Sequence, residues 1–189
     1  MFSAYGAAVM VAIPLGLALG HVRMLRASLL PAVNFLRSMS PLAWTPFVVL
    51  WFGKGDFSAS VLIFMAVVFQ MTLAACGSVA SIPKVYFRLA EDHQLKGMEL
   101  WRRVTLPAIL PSLLTGLRIT AGMAWLVMVA AEMVAGQEGL GVAVQAARTS
   151  QRTELLVINM ILIGSMGMVT DALLMRLTRL PSMRWGYEH

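Results

Sequence analysis

Three ionisable residues stand inside long apolar runs of this 189-residue chain: Arg118, Glu132 and Asp171. A charge at membrane depth is costly, and where one is kept it pairs, reaches an interface or marks the route of an ion or solute. Each of the three lies close enough to the end of its run to reach an interface by snorkelling. The functional alternative puts Glu132 and Arg118 on a translocation path. No charge or helix break stands at a midplane, where a proton- or sodium-driven transporter would need one. Catalytic chemistry is not evident either. There is no G-x-x-x-x-G-K-[ST] for binding and hydrolysing ATP, and G-K-G at 53–55 reads as a turn. His21, His93 and His189 lack metal-ligand spacing, and Ser, His and acidic residues form no nucleophilic arrangement. Cys76 is the single cysteine, so no internal disulfide can form. No catalytic residue, metal or cofactor is expected.

Composition says what must carry these residues. Hydrophobic residues make up 59% and charged residues 13% of the chain, and mean hydropathy is +0.76. Soluble domains run at roughly 45–50% apolar and 25% charged, so the excess apolar surface calls for lipid. Apolar windows recur at Ala4–Leu19, at Leu42–Phe52 extended by Leu29–Met39, at Ser58–Val79, at Ser112–Ala135 and at Leu155–Met175. They predict an all-α membrane protein, a polytopic bundle of about five transmembrane helices forming one domain over 1–189. Ala4–Gly20 has no basic region before it and reads as a mature span, not a signal peptide. Ala4, Ala8 and Ala12 share one helical face, of the kind that lets backbones approach in lipid.

The net charge of +6 would suit nucleic acid if it were clustered on a soluble domain. Here the basic residues sit in the connections. One set holds Arg23, Arg26, Arg37, Lys84, Arg88, Lys96, Arg102, Arg103, Arg176, Arg179 and Arg184, and the opposite set only Lys54, Arg148 and Arg152. The positive-inside rule makes the first set cytoplasmic. The 80–110 loop is then cytoplasmic. Within it, Ser81 and Pro83 start a helix running to His93, where Arg88 can pair with Glu91 or Asp92. Leu95, Met98, Trp101 and Val104 form an apolar stripe on a second short helix, with Glu99 and Arg103 paired on its other side. Pro107 and Pro111 constrain the entry to the next span. Such a loop either lies on lipid headgroups or offers a docking surface to a soluble protein.

This loop resembles the cytoplasmic coupling loop of binding-protein-dependent ABC importer permeases, in the branch handling nitrate, sulfonates and taurine. The resemblance continues in I-P-L-G-L-A-L-G at 13–20, N-F-L-R-S-M-S-P-L-A-W-T-P at 34–46, L-W-F-G-K-G at 50–55, L-T-G-L-R at 114–118, A-A-E-M at 130–133 and G-L-G at 139–141. These pieces occur in the family's order and cover essentially the whole chain. The family's loop pattern, aligned on Leu106 and Pro107, matches Ala90 and Val104. It puts Arg88 at the glutamate position, Leu89 at an alanine and Gln94 at the turn glycine, with Gly97 a second candidate for that turn.

The resemblance implies a type I importer permease fold in the bacterial inner membrane, the plasma membrane. Its loop couples to separate ATP-binding subunits through Arg88, Leu89, Ala90, Gln94, Leu95, Gly97, Met98, Trp101, Leu106 and Pro107. It also implies a soluble or lipid-anchored solute-binding protein, a homodimer of permeases and no nucleic acid. The expected solute is a small anion such as nitrate, a sulfonate or taurine. An ATP-independent channel or secondary transporter is the alternative. Family members carry a further helix upstream, so the first helix is expected to be missing here, leaving the Ala4, Ala8 and Ala12 face open to lipid.

Overall fold

The computed structural model describes residues 1–92, 94–95 and 98–178. Gly97, Lys96, Arg179, Arg184, His93 and His189 lie outside the described residues, as does the side chain of Met98. The described elements are helical: α1 (Phe2–His21), α2 (Arg23–Ser38), a 3-10 turn (Pro41–Trp44), α3 (Thr45–Phe52), α4 (Asp56–Ala80), α5 (Lys84–Asp92), α6 (Met98–Leu100), a π turn (Trp101–Thr105), α7 (Leu106–Ala135), α8 (Leu140–Thr149) and α9 (Thr153–Thr178).

α4 is the axis, with Leu62, Val67, Met71, Thr72 and Ala75 wholly buried between α1 on one side and α7 on the other. Hydrocarbon supplies no hydrophobic drive between helices, so small residues and close contact must hold them. A Cβ added at Gly16 would stand 2.6 Å from the Cβ of Ala75, and one at Gly20 2.6 Å from that of Val79. The face expected to lie open to lipid is closed, since Ala8 and Ala12 are wholly buried and Ala4 nearly so. These alanines pack in one cluster with Ile63, Val67 and Met71 of α4. The partner of that face is within the chain, and this corrects the expectation of an exposed small-residue surface.

Gly16 lies against Thr72 and Ala75 and Gly20 against Val79, so α1 and α4 run parallel. Residues 22–55 must therefore cross back. They do so as two helices, α2 of about 24 Å and α3 of about 12 Å at 1.5 Å per residue. Four of the expected spans are long apolar helices, at Phe2–His21, Asp56–Ala80, Trp101–Ala135 and Thr153–Arg176. The remaining crossing is broken at Met39 and Ser40, both extended. Pro41 is the cause, because its ring disfavours helical backbone in the residue before it.

The connections at one end of the bundle touch each other. The N–H of Gly55 donates to the carbonyl of Ala135 at 2.8 Å, and Gln137 Nε2 donates to the carbonyl of Lys54 at 3.2 Å. Gly53, at φ 77, makes the turn that delivers them. The poorly charged connections therefore share one end. The 80–105 segment emerges at the other end, where α4 finishes and α7 begins.

Candidate functional site

At the basic end, α5 packs back onto the bundle. Ile82 is buried, and Phe87, Trp101 and Leu106 lie against the cluster that includes Val79 and Ile109. α5 stops in a Schellman turn: the N–H of Leu95 donates to the carbonyl of Ala90, and that of Gln94 to the carbonyl of Glu91, both at 2.9 Å. The left-handed residue this turn needs is Gln94, at φ 55, so the turn falls at the position of the family's glycine with a side chain in its place. An L-residue there costs about 1–2 kcal/mol. Gln94→Gly is therefore expected to stabilise the turn by about 1 kcal/mol, read as slower amide exchange at Leu95; faster exchange would contradict it.

The second short helix is not separate. α6 runs through the π turn into α7, with the N–H of Leu106 donating to the carbonyl of Trp101. Pro107 explains the shift, since it has no N–H for the carbonyl of Arg103 and its ring crowds that carbonyl. The segment is thus joined without a break to a membrane-spanning helix. Glu99 and Arg103 pair as expected, at 3.1 Å on the exposed side. Arg88, Glu91 and Asp92 are exposed, and the expected pairing of Arg88 is not formed among the described residues.

The segment's residues divide into two groups. Ala90 is only 2% exposed, while Leu95, Trp101, Val104 and Leu106 are half-buried and Pro107 is exposed. The expected apolar stripe thus turns partly inward. Val85, Tyr86, Arg88 and Leu89 are exposed, with Tyr86 and Leu89 each at 51%. Sequence reasoning missed Val85 and Tyr86. Their signal was two apolar residues opposite Phe87 on a charged helix.

At the other end, two separated motifs meet. Glu132, buried to 8% exposure, accepts a hydrogen bond on Oε2 from the N–H of Gly141 at 2.9 Å. A carboxylate there satisfies an unpaired N–H of α8 and its helix dipole. Any Cβ on Gly139 would meet this carboxylate, and one on Gly141 would strike the carbonyl oxygen of Val129. A-A-E-M and G-L-G form one interlocked turn.

Within the membrane, Arg118 and Asp171 form a two-pronged ion pair between α7 and α9. Arg118 Nε donates to Oδ1 at 2.6 Å, and a terminal guanidinium nitrogen donates to Oδ2 at 2.7 Å. Nearby, Trp125 Nε1 donates to the carbonyl of Ile163 at 3.3 Å, and Gly167 packs against the Trp125 ring. Between α4 and α7, a groove of about 360 Å³ opens, lined by Gly77, Ser78, Ser81, Ser112, Thr115 and Ile119 among others.

A family model described as "Binding-protein-dependent transport system inner membrane component" matches residues 12–183. The chain is 39% identical to the taurine transport system permease protein TauC of Escherichia coli, over 75% of this chain and 51% of that protein. It is 32% identical to the bicarbonate transport system permease protein CmpB of Synechococcus elongatus, over 88% of this chain and 60% of that one. The chain thus spans between half and three fifths of the length of these relatives. Its fold is similar to a chain in an inward-facing structure of the MetNI methionine ABC transporter, with TM-score 0.71, 19% identity and coverage of 94% of this chain and 89% of that one.

Proposed function

We propose, on the premise that the chain belongs to the family of binding-protein-dependent transport system inner membrane components, that it is the permease subunit of an ATP-driven importer. Its place is the bacterial inner membrane, which it crosses several times. The observation that carries this reading is the continuity of the 98–105 segment with α7, beside an α5 that presents Val85, Tyr86, Arg88 and Leu89 to the basic side. A soluble partner gripping that face would move α7 as a lever, which is how rigid-body switching passes from one protein to another. In this reading Arg88 and Leu89 contact the ATP-binding subunit. Ala90, Gln94, Leu95, Trp101, Leu106 and Pro107 shape and seat the contact, together with Gly97 and Met98.

The partners are two ATP-binding subunits, a solute-binding protein and a second copy of this chain, in a lipid bilayer. ATP hydrolysis belongs to the partner, since this chain has no P-loop. The solute is a small anion of the taurine, sulfonate, nitrate or bicarbonate kind, supported by the relatives' taurine and bicarbonate transport. Of the two charges expected on the path, Arg118 follows the groove-lining Thr115 by three residues on α7 and pairs with Asp171 of α9. Glu132 has a structural task that accounts for its burial.

Reconstituted with ABC ATPase subunits and a solute-binding protein, the full chain is expected to import labelled taurine, bicarbonate or nitrate only when ATP is supplied on the ATPase side. Uptake that persists without the ATPase would refute the reading. In the same membranes, with Cys76→Ala, a cysteine at Arg148 is expected to react with an impermeant thiol reagent from outside, and one at Arg102 is not.

A further inference from the structure

The Arg118–Asp171 pair stands inside two apolar runs. Arg118 lies six residues, about 9 Å, past Ser112 on α7, and Asp171 four residues, about 6 Å, before Met175 on α9. Its side chains keep 42% and 45% of their exposure. Hydrocarbon is an expensive neighbour for a half-open ion pair, and such charges face a water-filled cavity or the bundle interior. The flank agrees with water. Thr115, three residues before Arg118 and so its neighbour on the helix surface, lines the groove with Ser112 and Ile119. The exposed surface of α9 opposite Asp171 is instead apolar, with Leu162 and Val169 open.

We propose that Arg118 is the anion-holding group of an aqueous route along the face of α7 between α4 and α9, and that Asp171 is its built-in competitor. The guanidinium offers a planar fork that matches carboxylate, sulfonate or nitrate oxygens. In this structure Asp171 fills that fork. A passing anion takes the place of the aspartate, and the aspartate takes it back, so the cation neither traps the solute nor stands bare in the membrane. This rests on the reading above that the solute is an anion.

The test uses the assembled complex in inside-out vesicles, with Cys76→Ala and single cysteines replacing Thr115 or Ile119. Two impermeant methanethiosulfonates are compared, one carrying a sulfonate and one a trimethylammonium group. Both cysteines are expected to react faster than a Val169→Cys control, which lies on the far side of α9 from Asp171. Asp171→Asn should raise the sulfonate-to-ammonium rate ratio at least about fivefold, and Arg118→Gln should lower it by a similar factor, as expected of a charge acting inside a low-dielectric cleft. Rates no faster than the control, or smaller shifts in the ratio, would overturn the proposal. The exchange Arg118→Asp with Asp171→Arg keeps the pair and covers the case in which single variants fail to accumulate. It is expected to reach wild-type levels yet lose uptake, at least about tenfold, of the anion imported in the assay above; restored uptake would show a structural clasp and refute anion holding. Reagent ratios need no transport, so they judge Arg118 even where ATP-driven import is absent.

Discussion

Leu89→Asp is expected to leave the chain inserted and folded while lowering ATP-dependent uptake by about thirtyfold or more. Leu89 is 51% exposed on α5, beside Tyr86 and Arg88 and away from the packed side that holds Phe87. An apolar residue in that setting has little to do for the fold, so a charge there costs the free chain little. Anchors at protein interfaces commonly cost about 2 kcal/mol or more when removed, which is about thirtyfold in an equilibrium. Ala90→Asp is the instructive contrast. Ala90 is 2% exposed and its carbonyl accepts the bond that closes the α5 turn. A carboxylate there buries an unpaired charge, so this variant is expected to lose thermal stability and partner binding together. The measurements are uptake, ATPase co-purification and the aggregation midpoint in detergent. Leu89→Asp transporting normally would remove α5 from the contact.

Gly141→Val is expected to destabilise the outer end of the bundle by roughly 3 kcal/mol, the upper part of the range for overpacking. The added atoms would meet the carbonyl of Val129 and come within 3.0 Å of the Met133 nitrogen, both backbone atoms that cannot step aside. Glu132→Ala acts on the same joint from the other side. It leaves the N–H of Gly141 without its acceptor, at a cost of about 1–3 kcal/mol. Glu132→Gln keeps an acceptor and should fall between Glu132→Ala and the natural chain. Because α9 packs on α8, the loss should spread to the last span, read as earlier thermal aggregation and faster proteolysis of 150–178. A Glu132→Ala chain as stable as the parent but inactive would instead place the carboxylate on the solute route.

The spans, their order and the partition of charge between the two ends were legible from the chain alone, because hydropathy and positive charge act through contiguous residues. The family's loop pattern also places a turn at Gln94, whereas the break before Pro41 is absent from the sequence reading, which runs the second span across it. Which helix faces meet was not legible. The Ala4, Ala8 and Ala12 stripe could pack on any neighbour, and only the parallel docking of α1 on α4 closes it. Trp101 belongs to a stripe whose period says helix but whose direction depends on how the π turn winds it into α7. Arg118 and Asp171 are 53 residues apart, and Glu132 meets Gly141 only once the chain has turned back after Ala135. Each of these pairings depends on the rotation and register of rigid helices against one another. In lipid those are chosen by close packing and polar contacts across the whole bundle, which no single segment contains.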